Sequence, residues 1–260
     1  MFESRIHDYL RSRAGAGAHR VGSFLLLLDE HDRGRYFNYA IPDDGAAPAP
    51  DDIAALVQAF RERSRVPRLE YLPAACPAVE PALLAAGFTA EARVPILTCA
   101  PEQAAAPTVD GIRVVLATDD GMLRGVAEVQ CEAYGQEVVT EHDTARLRRV
   151  RDGGGLVAIA VADASGAAVG AGQLGPPHAA PDGSPGADRS GGISELAAVG
   201  VRAAYRRRGI AAAVSALLTR SAPAVGISTP FLMTVGEAEE RVYHRIGYRR
   251  AAQMLHICLA

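Results

Sequence analysis

The sequence predicts an α/β protein, a central mixed sheet flanked by helices and built as two similar units in tandem. Three observations predict it. Short apolar runs with strand character alternate with amphipathic stretches of helical period along all 260 residues. Leu83–Cys99 and Tyr243–Leu259 both read helix, glycine, aromatic, then a long strand, and each follows a short strand and a short helix. Between them, Ala100–Gly111 ("APEQAAAPTVDG") has no period and reads as a linker. The expected division is residues 1–105 and 106–260.

In the first unit, "SFLLLLDE" and "RYFNYAI" read as strands joined by the turn signal "EHDRG". "DDIAALVQAFRERS" is a helix that Asp51 or Asp52 can cap, with Ile53, Leu56, Val57 and Phe60 on one face. "RLEYL" is a strand, "AVEPALLAAG" a short helix stopped by Gly87, and "FTAEARVPILTC" a strand. The "RAGAG" of Arg13–Gly17 runs into a strand and reads as a loop.

In the second unit, "IRVVLA" is a strand, and Thr118–Gly135 is a helix with Met122, Val126, Val129 and Ala133 on one side. A second helix, "EHDTARLRRVRDGGG", ends at glycines, and "LVAIAVADASGAAVGAGQLG" is a hairpin. Half of Gly175–Gly192 is Pro or Gly, which reads as a flexible surface loop. The strand "ISELAAVGV", the turn "RAAY", a helix from Gly209 to Arg220, the strand "FLMTV", the helix "EAEERVYHRIG" and a final strand complete the chain.

Composition excludes several classes. All 27 basic residues are arginine and the net charge is −3, so nothing drives general nucleic-acid binding. Without lysine, the protein has no lysine side chain of its own to modify. The start "MFESRIHDYL" lacks a signal peptide's apolar stretch, and no run is long enough to span a bilayer. Cys76, Cys99, Cys131 and Cys258 stand singly, and the histidines show no ligand spacing. These features point to reduced thiols in a cytoplasmic protein without a metal.

The chemistry concentrates at "VRAAYRRRGIAAAV" (Val201–Val214), where three arginines and a glycine open a helix. A helix start offers unpaired N–H groups and partial positive charge, which suits phosphate oxygens. Arginines there oppose the dipole, so an anionic ligand explains them where helix stability does not. A solvated basic turn is the plainer alternative. No GxxxxGK[ST] is present to suggest a nucleotide site.

The pattern V-x-x-x-Y-R-R-x-G-I-A, after a strand and before a helix, resembles the acetyl-CoA signature of the GNAT superfamily of N-acyltransferases, with Arg206, Gly209 and Ala211 at the signature positions. "EERVYHRIGY" is similar to the family's second block through Tyr243, Gly247 and Tyr248, although Gly236 stands where many members have asparagine. The resemblance covers Ile112 to the end of the chain. It implies that Val199, Gly200 and Val201 line the pantetheine arm of acetyl-CoA. It also implies that the amides of Arg207, Arg208, Gly209, Ile210, Ala211 and Ala212 hold the pyrophosphate.

The resemblance further gives Tyr243 as the acid serving the CoA thiolate, Val199 N–H as the oxyanion donor, and Glu195 as the base, acting directly or through water. Strict alternation puts Glu195 on one face with Ala197, Val199 and Val201. The other reading makes Glu195 an exposed strand start and Tyr243 a packing residue. The implied acceptor is a primary amine, small or on a protein, near Tyr134–Thr144, where Glu132, Glu137, Glu141 and Asp143 would suit a cation. The first unit, lacking the signature, would shape that pocket or a homodimer surface. An acyl-CoA sensor or scaffold without turnover is the alternative function.

Overall fold

The computed structural model describes residues 2–14, 18–29, 33–136, 138–179 and 191–259. The chain forms two compact units, Met1–Ile96 with Ala251–Ala260, and Leu97–Arg250. The expected division at 105/106 kept the last strand with the second unit; in the structure that strand belongs to the first. Among the described residues no helix is long and apolar enough to cross a membrane.

The first unit holds strands β1 (His19–Val21), β2 (Phe24–Leu27), β3 (Tyr39–Pro42), β4 (Arg68–Tyr71) and β5 (Thr89–Thr98), with helices α1 (Phe2–Ser12), α2 (Pro50–Glu62) and α3 (Val79–Ala85). The final strand β11 (Arg249–Cys258) lies between β4 and β5. It pairs antiparallel with β4, Leu255 opposite Tyr71 and His256 opposite Glu70. Alternation then sorts the side chains: Leu69, Tyr71, Leu255 and Ile257 join the core under α2 and α3. Arg68, Glu70 and His256 point the other way, where buried Arg68 pairs with Glu70 and Glu91.

Helix α2 begins at Pro50, one residue before the capping aspartates expected from the sequence. Asp52 is at its third position and accepts the Ala49 N–H at 2.8 Å. Helix α1 was not anticipated. Its charged residues mask the spacing of Ile6, Tyr9 and Leu10, all buried. It performs a specific job: β3 and β4 run parallel, and α1 takes up the backbone groups at their ends. Arg11 Nη2 donates to the Pro42 carbonyl at 2.7 Å, and the Leu72 N–H donates to His7 Nε2 at 2.8 Å. His7 Nδ1 then donates to Asp44 at 2.7 Å, which fixes the ring as the neutral Nδ1–H tautomer.

The second unit is ordered β10-β9-β8-β7-β6. Its strands are β6 (Ile112–Leu116), β7 (Leu156–Ala162), β8 (Ala168–Leu174), β9 (Gly192–Val201) and β10 (Ile227–Met233). Strands β6 to β9 are antiparallel, and β9–β10 are parallel. Helices α4 (Asp120–Ala133) and α5 (Glu141–Asp152) cover one core, built around Leu123, Val126, Leu147 and Ile159. Helix α6 (Ile210–Ser221) covers the other through Ile210, Val214 and Leu218, with Tyr248. Helix α7 (Glu237–Ile246) leads to Gly247 and β11. The hairpin, the two helices before it and the tail echo at Gly87–Phe88 and Gly247–Tyr248 follow the sequence reading. The loop expected over Gly175–Gly192, the "RAGAG" segment and Glu137 lie wholly or partly outside the described residues.

Candidate functional site

Strands β9 and β10 pair from Ile227 opposite Gly192 to Phe231 opposite Glu195, and there the pairing ends. Strand β9 continues to Val201, so its edge beyond Glu195 is not paired with β10. On the other edge β8 stays bonded, but with one residue extra in β9. Gln173 opposes Ala197 and Ala171 opposes Gly200, leaving Ala198 and Val199 across from Gly172. Ala198 takes φ +53°, the mark of a bulge.

The bulge corrects one expectation. Glu195 shares its face with Ala197 but not with Val199 or Val201, because the inserted residue reverses the alternation. Glu195, Ala197 and Gly200 lie toward α4, and a Cβ on Gly200 would come within 2.8 Å of Ala133 Cβ. Val199 and Val201 pack against the α6 core. No sequence signal separates this bulge from an ordinary strand.

Gln130 on α4 and Tyr134 at its C-cap both reach the bulge. Gln130 Nε2 donates to the Ala198 carbonyl at 3.0 Å, and the Tyr134 hydroxyl donates to the Val199 carbonyl at 3.3 Å. Gln130 escaped the sequence reading, which put Met122, Val126, Val129 and Ala133 on the packed side; Met122 and Ala133 are only half-buried, whereas Gln130 is 4% exposed.

Past Val201 the chain turns into α6 with Arg206–Gly209 exposed. Arg207 (φ +63°) and Gly209 (φ +87°) are both left-handed. Gly209 sits at the N-cap and has no side chain to bond the first turn. The first intrahelical bond is Ala213 N–H to Gly209 carbonyl at 3.0 Å, so the amides of Ile210, Ala211 and Ala212 have no helical acceptor. The amides of Arg207, Arg208 and Gly209 donate to no backbone carbonyl among the described residues. The free N–H groups at the start of α6, beside this exposed turn, suit an anion.

The arginines hold this corner in shape. Arg206 Nε donates to the Val201 carbonyl at 3.2 Å. Arg208 Nη2 donates to the Asp110 carbonyl at 3.2 Å, and its guanidinium lies 5.5 Å from the Tyr205 ring centre. In the first unit the turn between β3 and α2 carries Asp43 and Asp44 instead, which repel an anion.

Tyr243 on α7 is half-buried and meets the Tyr248 ring edge-on, centroids 5.8 Å apart. Burial raises its phenol pKa, and Glu239 and Tyr134 push it the same way. The acidic residues of the expected acceptor region are largely engaged. Glu132 faces Arg202 at 3.6 Å, Glu141 faces Arg148 at 3.5 Å, and Asp143 accepts from the Thr140 amide and hydroxyl. Gly236 is the N-cap of α7 and has no side chain to bond its first turn.

A parallel strand pair that parts beside a bulge, with an amide-lined turn at its end, defines an α/β protein with a built anion corner. Residues 123–248, within the second unit, match the model of the acetyltransferase (GNAT) family and form a GNAT domain. No curated protein sequence matches it. Among solved structures it is similar to a GCN5-related N-acetyltransferase from Kribbella flavida (20% identity, 98% of this chain and 95% of that one, TM-score 0.75). A GCN5-related N-acetyltransferase from Sphaerobacter thermophilus gives 16% identity, 99% and 91% coverage and TM-score 0.66. A tandem GNAT protein from the clavulanic acid biosynthesis pathway, solved without AcCoA, gives 14%, 94% and 80%, and 0.63. At such identities the likeness is one of fold: two GNAT-like units in tandem.

Proposed function

We propose that the second unit is an N-acetyltransferase that moves an acetyl group from acetyl-CoA to a primary amine within a ternary complex. The observation that carries this reading is the set of free amides at the start of α6, Ile210 to Ala212, beside the exposed turn that follows the bulged strand. A diphosphate fits that donor set in charge and geometry. The pantetheine arm would then follow the unpaired edge of β9 past Val201, Gly200 and Val199, bringing the thioester toward Glu195 and Tyr243.

In this scheme the amine nitrogen gives up a proton to Glu195, directly or through water, and attacks the thioester carbonyl carbon. The Val199 N–H stabilises the resulting oxyanion. The carbon–sulfur bond breaks and the thiolate leaves. Because its pKa is raised, the Tyr243 phenol stays protonated and donates a hydrogen bond to that sulfur. Three buried free cysteines fit a cytoplasmic setting.

The test is thiol release from acetyl-CoA across a panel of amines, for wild type and Tyr243→Phe. Turnover that falls at least tenfold in the variant, with CoA affinity kept, supports acetyl transfer. Saturable CoA binding with no turnover on any amine would favour a sensor.

A further inference from the structure

We infer that Gln130 is a positioning residue for this reaction: by holding the Ala198 carbonyl it aims the Val199 N–H at the oxygen that becomes negative during acyl transfer. The inference rests on the acetyl-transfer reading and adds to it a residue outside both sequence blocks.

The argument starts from the peptide plane. Every described peptide bond is trans, so the Ala198 carbonyl and the Val199 N–H point in opposite directions. Gln130 Nε2, donating at 3.0 Å from α4, pulls the carbonyl toward that helix. The N–H of the same plane must face away from α4. Tyr134, one turn further on at the α4 C-cap, holds the next carbonyl at 3.3 Å, so two successive planes are fixed from one helix.

Two costs indicate that this arrangement is not incidental. Ala198 has φ +53°, which an L residue keeps only where its surroundings enforce it. Gln130 is 4% exposed, and its Oε1 is buried without a hydrogen-bond partner among the described residues. Methionine or leucine would fill that place without burying an unsatisfied acceptor. What the amide supplies and an apolar side chain cannot is the bond to Ala198. The close approach at Gly200, where a Cβ would meet Ala133, brings α4 near enough for that bond to form.

The test compares Gln130→Met, which keeps length and packing, with Gln130→Glu, which keeps shape but cannot donate when ionised. The second variant serves if the first does not fold. Steady-state kinetics with acetyl-CoA and a turned-over amine give kcat, and calorimetry with CoA, which has no acyl carbonyl, gives binding at the amide-lined corner. The inference expects kcat to fall about tenfold to a hundredfold, less than the roughly hundredfold to thousandfold of an oxyanion donor removed outright, because the Val199 N–H is misaimed and not lost. It also expects CoA affinity to stay at the wild-type value. A kcat within twofold of wild type in a folded variant overturns it. So does a loss of CoA affinity in step with kcat, which would make Gln130 a general support of β9. A wild-type protein that binds CoA but releases no thiol on any amine would remove the acetyl-transfer reading itself, and this inference with it.

Discussion

Glu195 and Phe231 are the last register partners of β9 and β10. One strand crosses this point still bonded to β8, and the other leaves it, so a carboxylate stands at the fork of a sheet. The fork lies close to the bulge at Ala198, which keeps β9 turned toward α4. Glu195 itself sits on the α4 face, half-buried.

For Glu195→Gln we expect kcat at neutral pH to fall about a hundredfold, the lower range for a positioned base, while CoA affinity holds. The deficit should shrink as pH rises and the amine loses its proton without help. Parallel kcat–pH profiles for the two proteins would show that Glu195 takes no proton.

Gly209 has φ +87°, while a Cβ there would meet Val109 only at an ordinary 3.6 Å. The requirement is conformational rather than spatial. Gly209→Ala should cost about 1–2 kcal/mol of local strain and twist the amides of Ile210 and Ala211 out of line. Calorimetry should report at least a tenfold weaker CoA complex. Unchanged affinity would mean that the corner does not hold the diphosphate.

His7 makes the first unit sensitive to acid. Burial lowers its pKa below the ordinary 6.5, against the opposing effect of the hydrogen bond it donates to Asp44. Its Nε2 lone pair takes the Leu72 N–H, a bond that protonation would break. A base with a folded pKa below its unfolded one imposes no penalty above the unfolded value. Stability is lost as pH falls through 6.5 and levels off below the folded pKa. His256 is lowered by burial as well and adds to the same slope. Chemical denaturation of wild type should therefore show stability falling between about pH 7 and pH 5, and His7→Gln should flatten that slope. Equal slopes would show that the ring is not buried neutral.

The sequence reading found most of the elements because period and turn chemistry are local. It also found the amide-lined corner, since Arg206, Gly209 and Ala211 are close in sequence and a helix start is a local structure. It missed α1, whose purpose is to bond the ends of β3 and β4, distant in sequence from Arg11 and His7. It kept the final strand in the wrong neighbourhood for the same reason: Leu255 pairs with Tyr71 across most of the chain, and no periodicity encodes a partner.

By itself, then, the chain determined an α/β alternation, a repeated tail and a glycine-closed turn that opens a helix, all set by residues a few positions apart. Tertiary structure alone decided which face Glu195 occupies, because one extra residue opposite Gly172 reverses the alternation, and only pairing with β8 reveals it. It alone decided that Gln130 and Tyr134 meet the bulge, since those contacts follow from how closely α4 approaches Gly200.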